Sequence, residues 1–150
     1  MEELTHLDEQ GNARMVDVGD KVSSVRIATA EGFIRLEPKT RKLIEEKLMK
    51  KGDVLTIAEI AGVQASKQTA QLIPLCHPLL LDKIKVVVQL DQQGVYVASE
   101  VRCLGRTGVE MEALTAVNVA LLTIYDMCKA VDKKMEMHGI RLLQKTKQPL

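Results

Sequence analysis

Asp126 and Lys129 stand three residues apart within the most hydrophobic predicted helix of the chain. Residues at positions i and i+3 share a helix face, so this carboxylate and this ammonium group lie within contact range. Such a pair can exchange protons with a substrate, and burial lowers the pKa of a lysine toward neutrality. The alternative is an exposed ion pair worth about 0–1 kcal/mol. The spacing alone leaves both interpretations open.

A glycine-rich turn precedes the same helix. Two glycines flank Arg106 and Thr107, and Glu110 and Glu112 follow in the first helical turn. Such a turn can aim backbone N–H groups at an anion, with support from the helix dipole. An ordinary strand-to-helix turn, in which the acids only complement the dipole, has the same residues.

A short segment between Pro74 and Pro78 holds Leu75, Cys76 and His77. A loop fixed by two prolines can present an imidazole and backbone N–H groups to a ligand. A structural histidine on a rigid turn is the alternative. Adjacent Cys and His side chains rarely chelate one ion, and no second pair of ligands completes a site. We therefore expect no metal.

Four basic residues are scattered along the chain, at Arg26, Lys51, Lys67 and Lys145. Each one alone is typical of a solvated surface charge. They can form a phosphate pocket only if the fold or an oligomer brings them together.

The bulk properties exclude several classes of protein. The chain has 150 residues and a net charge of +1, with no Trp, one Phe and two Tyr. This composition disfavours a general nucleic-acid or membrane surface. Three cysteines without CxxC spacing disfavour a disulfide framework, and no secretory signal opens the chain, so we expect a cytoplasmic protein. We expect one domain, residues 1–150, with residues 1–13 and 144–150 flexible.

The hydrophobic pattern predicts the order strand, helices, strand, strand, helix, strand. Alternation of apolar residues and turn signals predict strands at residues 15–18, 24–36, 84–90, 95–102 and 135–143. Helix signals predict a helix from Pro38 to about 51, then helices at 53–72 and 109–131. This is an α+β chain with the ferredoxin-like βαββαβ plan, an antiparallel sheet with helices on one face. Its strands are apolar on both faces, so we expect the open face to be buried in an oligomer.

The long helix also sets a distance. Glu112 and Asp126 are fourteen residues apart, or roughly 21 Å at about 1.5 Å per residue. One triphosphate-sized ligand hardly spans that length. If both residues serve one reaction, we expect the pocket to form across a subunit interface.

At these residues the chain resembles the cyclic pyranopterin monophosphate synthase family (molybdenum cofactor biosynthesis protein C), the second enzyme of that pathway. The similarity runs from residue 4 to about residue 143. It is carried by the blocks MVDV (15–18), KGDV (51–54), IAG (60–62), LIPLCHP (72–78), TGVEMEALT (107–115) and LTIYDMCKAV (122–131).

The resemblance implies a reaction and an assembly. The reaction converts (8S)-3′,8-cyclo-7,8-dihydroguanosine 5′-triphosphate into cyclic pyranopterin monophosphate and releases pyrophosphate. The assembly is a homohexamer, a trimer of dimers, with active sites at the dimer interfaces. No cofactor is required, and Mg²⁺ bound with the triphosphate is compatible with this reaction.

The resemblance also implies roles for residues. Asp126 and Lys129 fall on the family's acid–base pair. From the tail only Lys145 is carried over, because the chain ends in QKTKQPL where the family often has a KSGGKS-like stretch. Arg106 stands where the family often has Lys, which keeps the charge but not the hydrogen-bond geometry. The substrate-binding and pocket positions are Leu75, Cys76, His77, Met111, Glu112, Lys51, Lys67 and Arg26.

A non-catalytic ferredoxin-like module that binds a nucleotide for regulation is the alternative function, because one fold can serve both purposes. Such a module would need the pocket but not Asp126 and Lys129. An RNA-recognition module would need aromatic residues on its central strands, where the chain offers Phe33 and Tyr96 alone.

Overall fold

A computed structural model describes residues 6–150 of the protein. Residues 1–5 lie outside the described part, and they include residue 4, where the family resemblance begins, and the first five residues of the segment 1–13 expected to be flexible. The elements follow in the order β1 Ser24–Arg35, α1 Pro38–Glu45, α2 Val54–Lys67, α3 Thr69–Leu72, β2 Lys83–Asp91, β3 Gly94–Gly105, α4 Glu110–Cys128 and β4 Glu136–Pro149.

The four strands form one antiparallel sheet in the order β2-β3-β1-β4. The helices α2 and α4 pack on one face of this sheet, where alternate residues of β1 such as Ala28, Ala30 and Ile34 are buried. The predicted α+β, ferredoxin-like architecture is therefore confirmed.

α4 is the central helix of the core. Its predicted apolar seam is buried at Val117, Leu121, Ile124 and Cys128, which have no solvent exposure. The helix is long and apolar enough to cross a membrane by composition alone. Its packing against β1, β3 and α2 is, however, that of a core helix.

The end predicted for the first helix near residue 51 is wrong, because α1 ends at Glu45 and Lys47 adopts a left-handed φ of 57°. Local signals did place the starts of α1 and α2 correctly. Pro38 occupies the first turn of α1, and the Asp53 carboxylate caps α2 by accepting the Thr56 backbone N–H at 3.3 Å. The single helix predicted for residues 53–72 is wrong, because the chain leaves helical geometry at Gln68. There the Thr69 hydroxyl donates to the carbonyl of Ser66 at 2.9 Å, so a side chain takes up an end carbonyl of α2.

Two strand predictions need correction. Residues 15–18 form no strand, because the Asp17 carboxylate accepts the Gly19 N–H at 2.8 Å and the Lys21 N–H bonds back to the Val18 carbonyl at 3.1 Å. These contacts close a turn. β4 continues to Pro149 instead of ending at residue 143, so the tail expected to be flexible pairs with the first half of β1.

A buried carboxylate joins the end of α4 to the start of α1. Asp132 is 2% exposed and accepts the backbone N–H groups of Glu37 at 2.9 Å and Lys134 at 3.0 Å. Burial raises the pKa of Asp132, but these backbone donors outweigh it, and the pKa lies below its usual value.

Replacing Asp132 tests this connection. We expect Asp132→Asn to lower the free energy of unfolding at pH 7 by about 1–3 kcal/mol, because buried donors lose a charged acceptor. A carboxyl whose pKa is lowered by folding stabilises the protein above its unfolded pKa of about 3.9, and that contribution is lost as the pH falls through the folded pKa. Urea unfolding should therefore separate variant and parent at pH 7 and bring them together at lower pH.

The matched control is Asp20→Asn, the same change at an exposed turn position. Equal unfolding curves for the Asp132 variant and the parent at pH 7 would contradict the role of this carboxylate.

Candidate active site

A cavity of about 280 Å³ lies between the segment after α3 and the first turn of α4. The proline-bounded segment places its three central residues on one side, and α4 places Glu110, Met111 and Glu112 on the other. The structure thus brings together the predicted residues Leu75, Cys76, His77, Met111 and Glu112.

Glu112 is the buried acid of this cavity, with 4% of its surface exposed. Burial raises the pKa of Glu112 to about 7, its own backbone N–H partly offsets this effect, and Glu110 adds to it. The Ser66 hydroxyl donates to the Glu112 carbonyl at 3.2 Å, which ties the end of α2 to this turn. A carboxyl poised near neutrality can both donate and accept a proton.

Cys76 contributes a neutral thiol to the same wall. Burial raises the pKa of Cys76, and the charges of Glu112 and Glu110 raise it further. Since the thiolate is the nucleophilic form, this environment disfavours covalent catalysis by Cys76.

A second cavity of about 370 Å³ adjoins the first and contains the predicted basic residues Arg26 and Lys145. It also contains Lys21 and Lys147, which were not predicted as site residues. Sequence reasoning had no local signal for them, because one lies in a turn before β1 and the other near the end of β4. Only the fold brings them together.

The acid–base pair lies at the opposite end of α4. The Asp126 carboxylate is 3.0 Å from the Lys129 ammonium and 3.2 Å from that of Lys51, which comes from the turn before α2. Hydrogen bonds from Lys129 and then Lys51 hold the pKa of Asp126 below its usual value. The predicted contact between Asp126 and Lys129 is present. The partial burial expected for the pair is absent in the single chain, where both side chains are more than half exposed.

Lys67 lies at the end of α2, on the Glu112 side of the molecule, and is exposed. It is not among the residues of 6–150 that line either cavity. Across the same residues, no group of three or more His, Cys, Asp or Glu side chains is placed to hold a metal ion. One chain thus holds two separate clusters, one at each end of α4.

Comparison with known proteins gives one family. A family model described as "MoaC family" matches residues 15–148. A protein of Methylobacterium sp. (strain 4-46), named cyclic pyranopterin monophosphate synthase, is 56% identical over 148 residues. The alignment covers 97% of this chain and 92% of that protein.

The buried carboxyl predicts a pH dependence of stability. Because the pKa of Glu112 rises from its usual value near 4.5 to about 7 on folding, ionisation should destabilise the folded state between these values. We expect the free energy of unfolding to fall by up to about 3 kcal/mol from this group between pH 4.5 and 8. Glu112→Gln should remove that part of the fall in urea unfolding at fixed protein concentration.

Glu59→Gln, at an exposed position of α2, is the control and should keep the pH dependence of the parent. If Glu112→Gln leaves the pH dependence of stability unchanged, folding does not raise the pKa of Glu112.

Proposed function

The chain belongs to the MoaC family, and from that premise we propose that it is a cyclic pyranopterin monophosphate synthase of molybdenum cofactor biosynthesis. The observation that carries the proposal is the 56% identity, over nearly the whole chain, to a protein of that name. In this reaction (8S)-3′,8-cyclo-7,8-dihydroguanosine 5′-triphosphate becomes cyclic pyranopterin monophosphate, and pyrophosphate is released.

Opening the rearranged purine and closing the pterin ring both require proton transfers to and from nitrogen and carbon. Asp126 and Lys129 are proposed as the acid–base pair. Their 3.0 Å contact supports this role, and Lys51 on the other side of the carboxylate adds a second cation. The low pKa of Asp126 makes it a carboxylate at neutral pH, suited to accept a proton or to hold a developing cation in place.

The cavity beside Glu112 is proposed to hold the ring system of the substrate. Its wall combines the apolar side chains of Leu75 and Met111 with the imidazole of His77. A protonated Glu112 can donate a hydrogen bond to ring nitrogen or oxygen without bringing a negative charge near the triphosphate. Such a mixture of apolar wall and few polar groups is typical of a small-molecule site.

The phosphates need positive charge, because an alcohol attacks the α-phosphorus and pyrophosphate leaves. We propose that Arg26 and Lys145 supply it, with Lys51 and Lys67. The side of the molecule near Glu112 carries Arg26 and Lys145 in one cavity, which supports this assignment. No resident cofactor is proposed, and Mg²⁺ carried by the triphosphate is compatible with the scheme.

A homodimer reconciles the two clusters. Glu112 and Asp126 lie about 21 Å apart on α4 and equally far from its midpoint near Val119. If two copies of α4 pack antiparallel about a twofold axis at that point, the Glu112 end of each meets the Asp126 end of the other. Exposed apolar residues along α2 and α4 support such packing: Ile57, Ile60, Leu122 and Tyr125.

We further propose that three such dimers form a homohexamer in the cytoplasm. The open face of the sheet carries Val87, Ala98 and Leu143 beside the charged Lys85 and Glu100, and this surface supports a second contact, since both faces of the sheet then become buried. The free state of all three cysteines is compatible with a reducing compartment.

The proposed acid–base pair is tested by turnover. Purified protein incubated with the cyclic dihydroguanosine triphosphate should release pyrophosphate and form the pterin. Lys129→Ala and Asp126→Ala should each lower kcat by about 10²–10⁴-fold, the usual contribution of a positioned proton-transfer group. Lys134→Ala removes a lysine at the same end of the molecule and should retain activity. Turnover undiminished in both variants would favour a nucleotide-binding module in which these residues have no catalytic task.

The shared site is tested by mixing variants. Glu112→Ala and Asp126→Ala chains should each be inactive alone, and mixed oligomers should regain activity because one interface then carries an intact set. Subunit exchange must be measured in the same samples, for example by native mass spectrometry. Exchange without recovered activity would contradict a site built from two chains.

A further inference from the structure

Two buried hydroxyl groups reach the first turn of α4 from different elements. Ser66 lies near the end of α2 and is 1% exposed, and Ser99 lies in the middle of β3 and is 4% exposed. The Ser66 hydroxyl donates to the Glu112 carbonyl at 3.2 Å, and the Ser99 hydroxyl donates to the Ala113 carbonyl at 2.7 Å. The turn that carries Glu112 is therefore tied to a helix and to the sheet at two consecutive residues.

These two bonds are additional to those of the helix itself. In an α-helix each of these carbonyls also accepts the N–H group of the residue four positions later, so neither needs a serine to be satisfied. Consecutive residues point about 100° apart around a helix axis. Two anchors in different directions fix both the rotation of the turn and its position along the axis.

The start of α4 lacks the usual anchor of a helix. Among residues 6–150 it has no side-chain cap, because Val109 stands at the N-cap position, whereas the Asp53 carboxylate caps α2. The preceding turn contains Gly105 and Gly108, and glycine restricts the backbone little. The two serines therefore supply the hydrogen bonds by which neighbouring elements hold this turn.

Ser99 interrupts an otherwise apolar row. The residues of β3 that face the helices are Val95, Val97 and Val101 on either side of it, all without solvent exposure. A buried hydroxyl costs free energy unless it is hydrogen-bonded, so a valine would suit this position better if only burial mattered. The bond to α4 gives the serine a task that a valine lacks.

Ser66 also connects the opposite wall of the Glu112 cavity. Its carbonyl accepts the Thr69 hydroxyl at 2.9 Å. The Thr69 carbonyl accepts the Ile73 N–H at 2.9 Å, and the Ile73 carbonyl accepts the Cys76 N–H at 3.2 Å. A series of hydrogen bonds thus leads from the turn that carries Glu112 to the proline-bounded segment, and Ser66 is the residue that joins the two walls.

We propose that Ser66 and Ser99 are positioning residues of this cavity, which hold the first turn of α4 at the distance and orientation from the proline-bounded segment at which one ligand contacts both walls. Neither serine is among the residues of 6–150 that line the cavity, so both act through Glu112 and its neighbours. That the ligand is the cyclic dihydroguanosine triphosphate rests on the function proposed above. The hold on the turn does not depend on it.

Hydrogen exchange of the assembled protein tests this hold without a substrate. Ser66→Ala should speed exchange of backbone N–H groups in residues 110–117 and 73–77 by about three- to tenfold, the change that one lost hydrogen bond causes in a local opening equilibrium. Ser99→Ala should do so in residues 110–117 alone. Ser99→Thr should exchange like the parent, because it keeps the hydroxyl and a β-branched residue suits a strand.

Val95→Ala is the matched control, since it removes packing near the start of β3 on the face that also carries Ser99. It should lower the overall stability at least as much, but leave exchange in residues 110–117 unchanged relative to the rest of the chain. If both alanine variants of the serines exchange like the parent in these segments, or if Val95→Ala has the same local effect, the proposed positioning is wrong.

Turnover separates this proposal from the proposed function. Ser66→Ala and Ser99→Ala should raise KM for the cyclic dihydroguanosine triphosphate by about three- to tenfold with little change in kcat, because the acid–base pair is untouched. Val95→Ala should keep the KM of the parent. The expected exchange pattern in a protein without synthase activity would leave the positioning standing and overturn the proposed function. Normal turnover with unchanged KM in both serine variants would overturn the positioning alone.

Discussion

The close packing of α4 against the sheet and against α2 is the contact on which both clusters of functional residues depend. It requires two positions without a side chain. A Cβ atom at Gly32 would lie 2.8 Å from the side chains of Leu121 and Val117, and one at Gly62 would lie 3.0 Å from the Ala116 carbonyl oxygen. This close packing fixes the position of α4 on the sheet, so the residues at its two ends keep fixed positions relative to the other elements.

The two ends of α4 offer opposite electrostatic environments. At the N-terminal end, burial raises the pKa of Glu112 to about 7, so that a neutral acid can exist near physiological pH. At the C-terminal end, Lys129 and Lys51 hold Asp126 as an exposed carboxylate. Two carboxyl groups whose pKa values are driven apart are suited to different proton-transfer tasks in one reaction. An assembly that joins opposite ends of two α4 helices would bring Glu112 of one chain near Asp126 of the other, and each carboxyl group would keep its own environment.

Much of the fold could be predicted from local patterns. Alternation gave the hairpin of β2 and β3, and the 3.6-residue period gave the buried seam of α4, because both patterns record which face is buried. The break at Gln68 and the extension of β4 to Pro149 could not be predicted, since a side-chain hydrogen bond and pairing with β1 decide them. The proximity of His77 to Glu112 came from the family resemblance rather than from spacing. Neither the family resemblance nor the residue spacing pointed to Lys21 or Lys147.

The extended β4 has a further consequence for how the molecule meets other copies of itself. Among residues 6–150, β4 is an edge strand of the sheet, fourteen residues long, and pairs with β1 alone. A long edge with free backbone groups is a template for unwanted sheet growth, which proteins counter with charged residues and proline. Here Lys145 and Lys147 interrupt that edge and Pro149 ends it. The two lysines thus have a task on the edge of the sheet that is separate from lining the cavity: their charges oppose pairing of this edge with the edge of another copy.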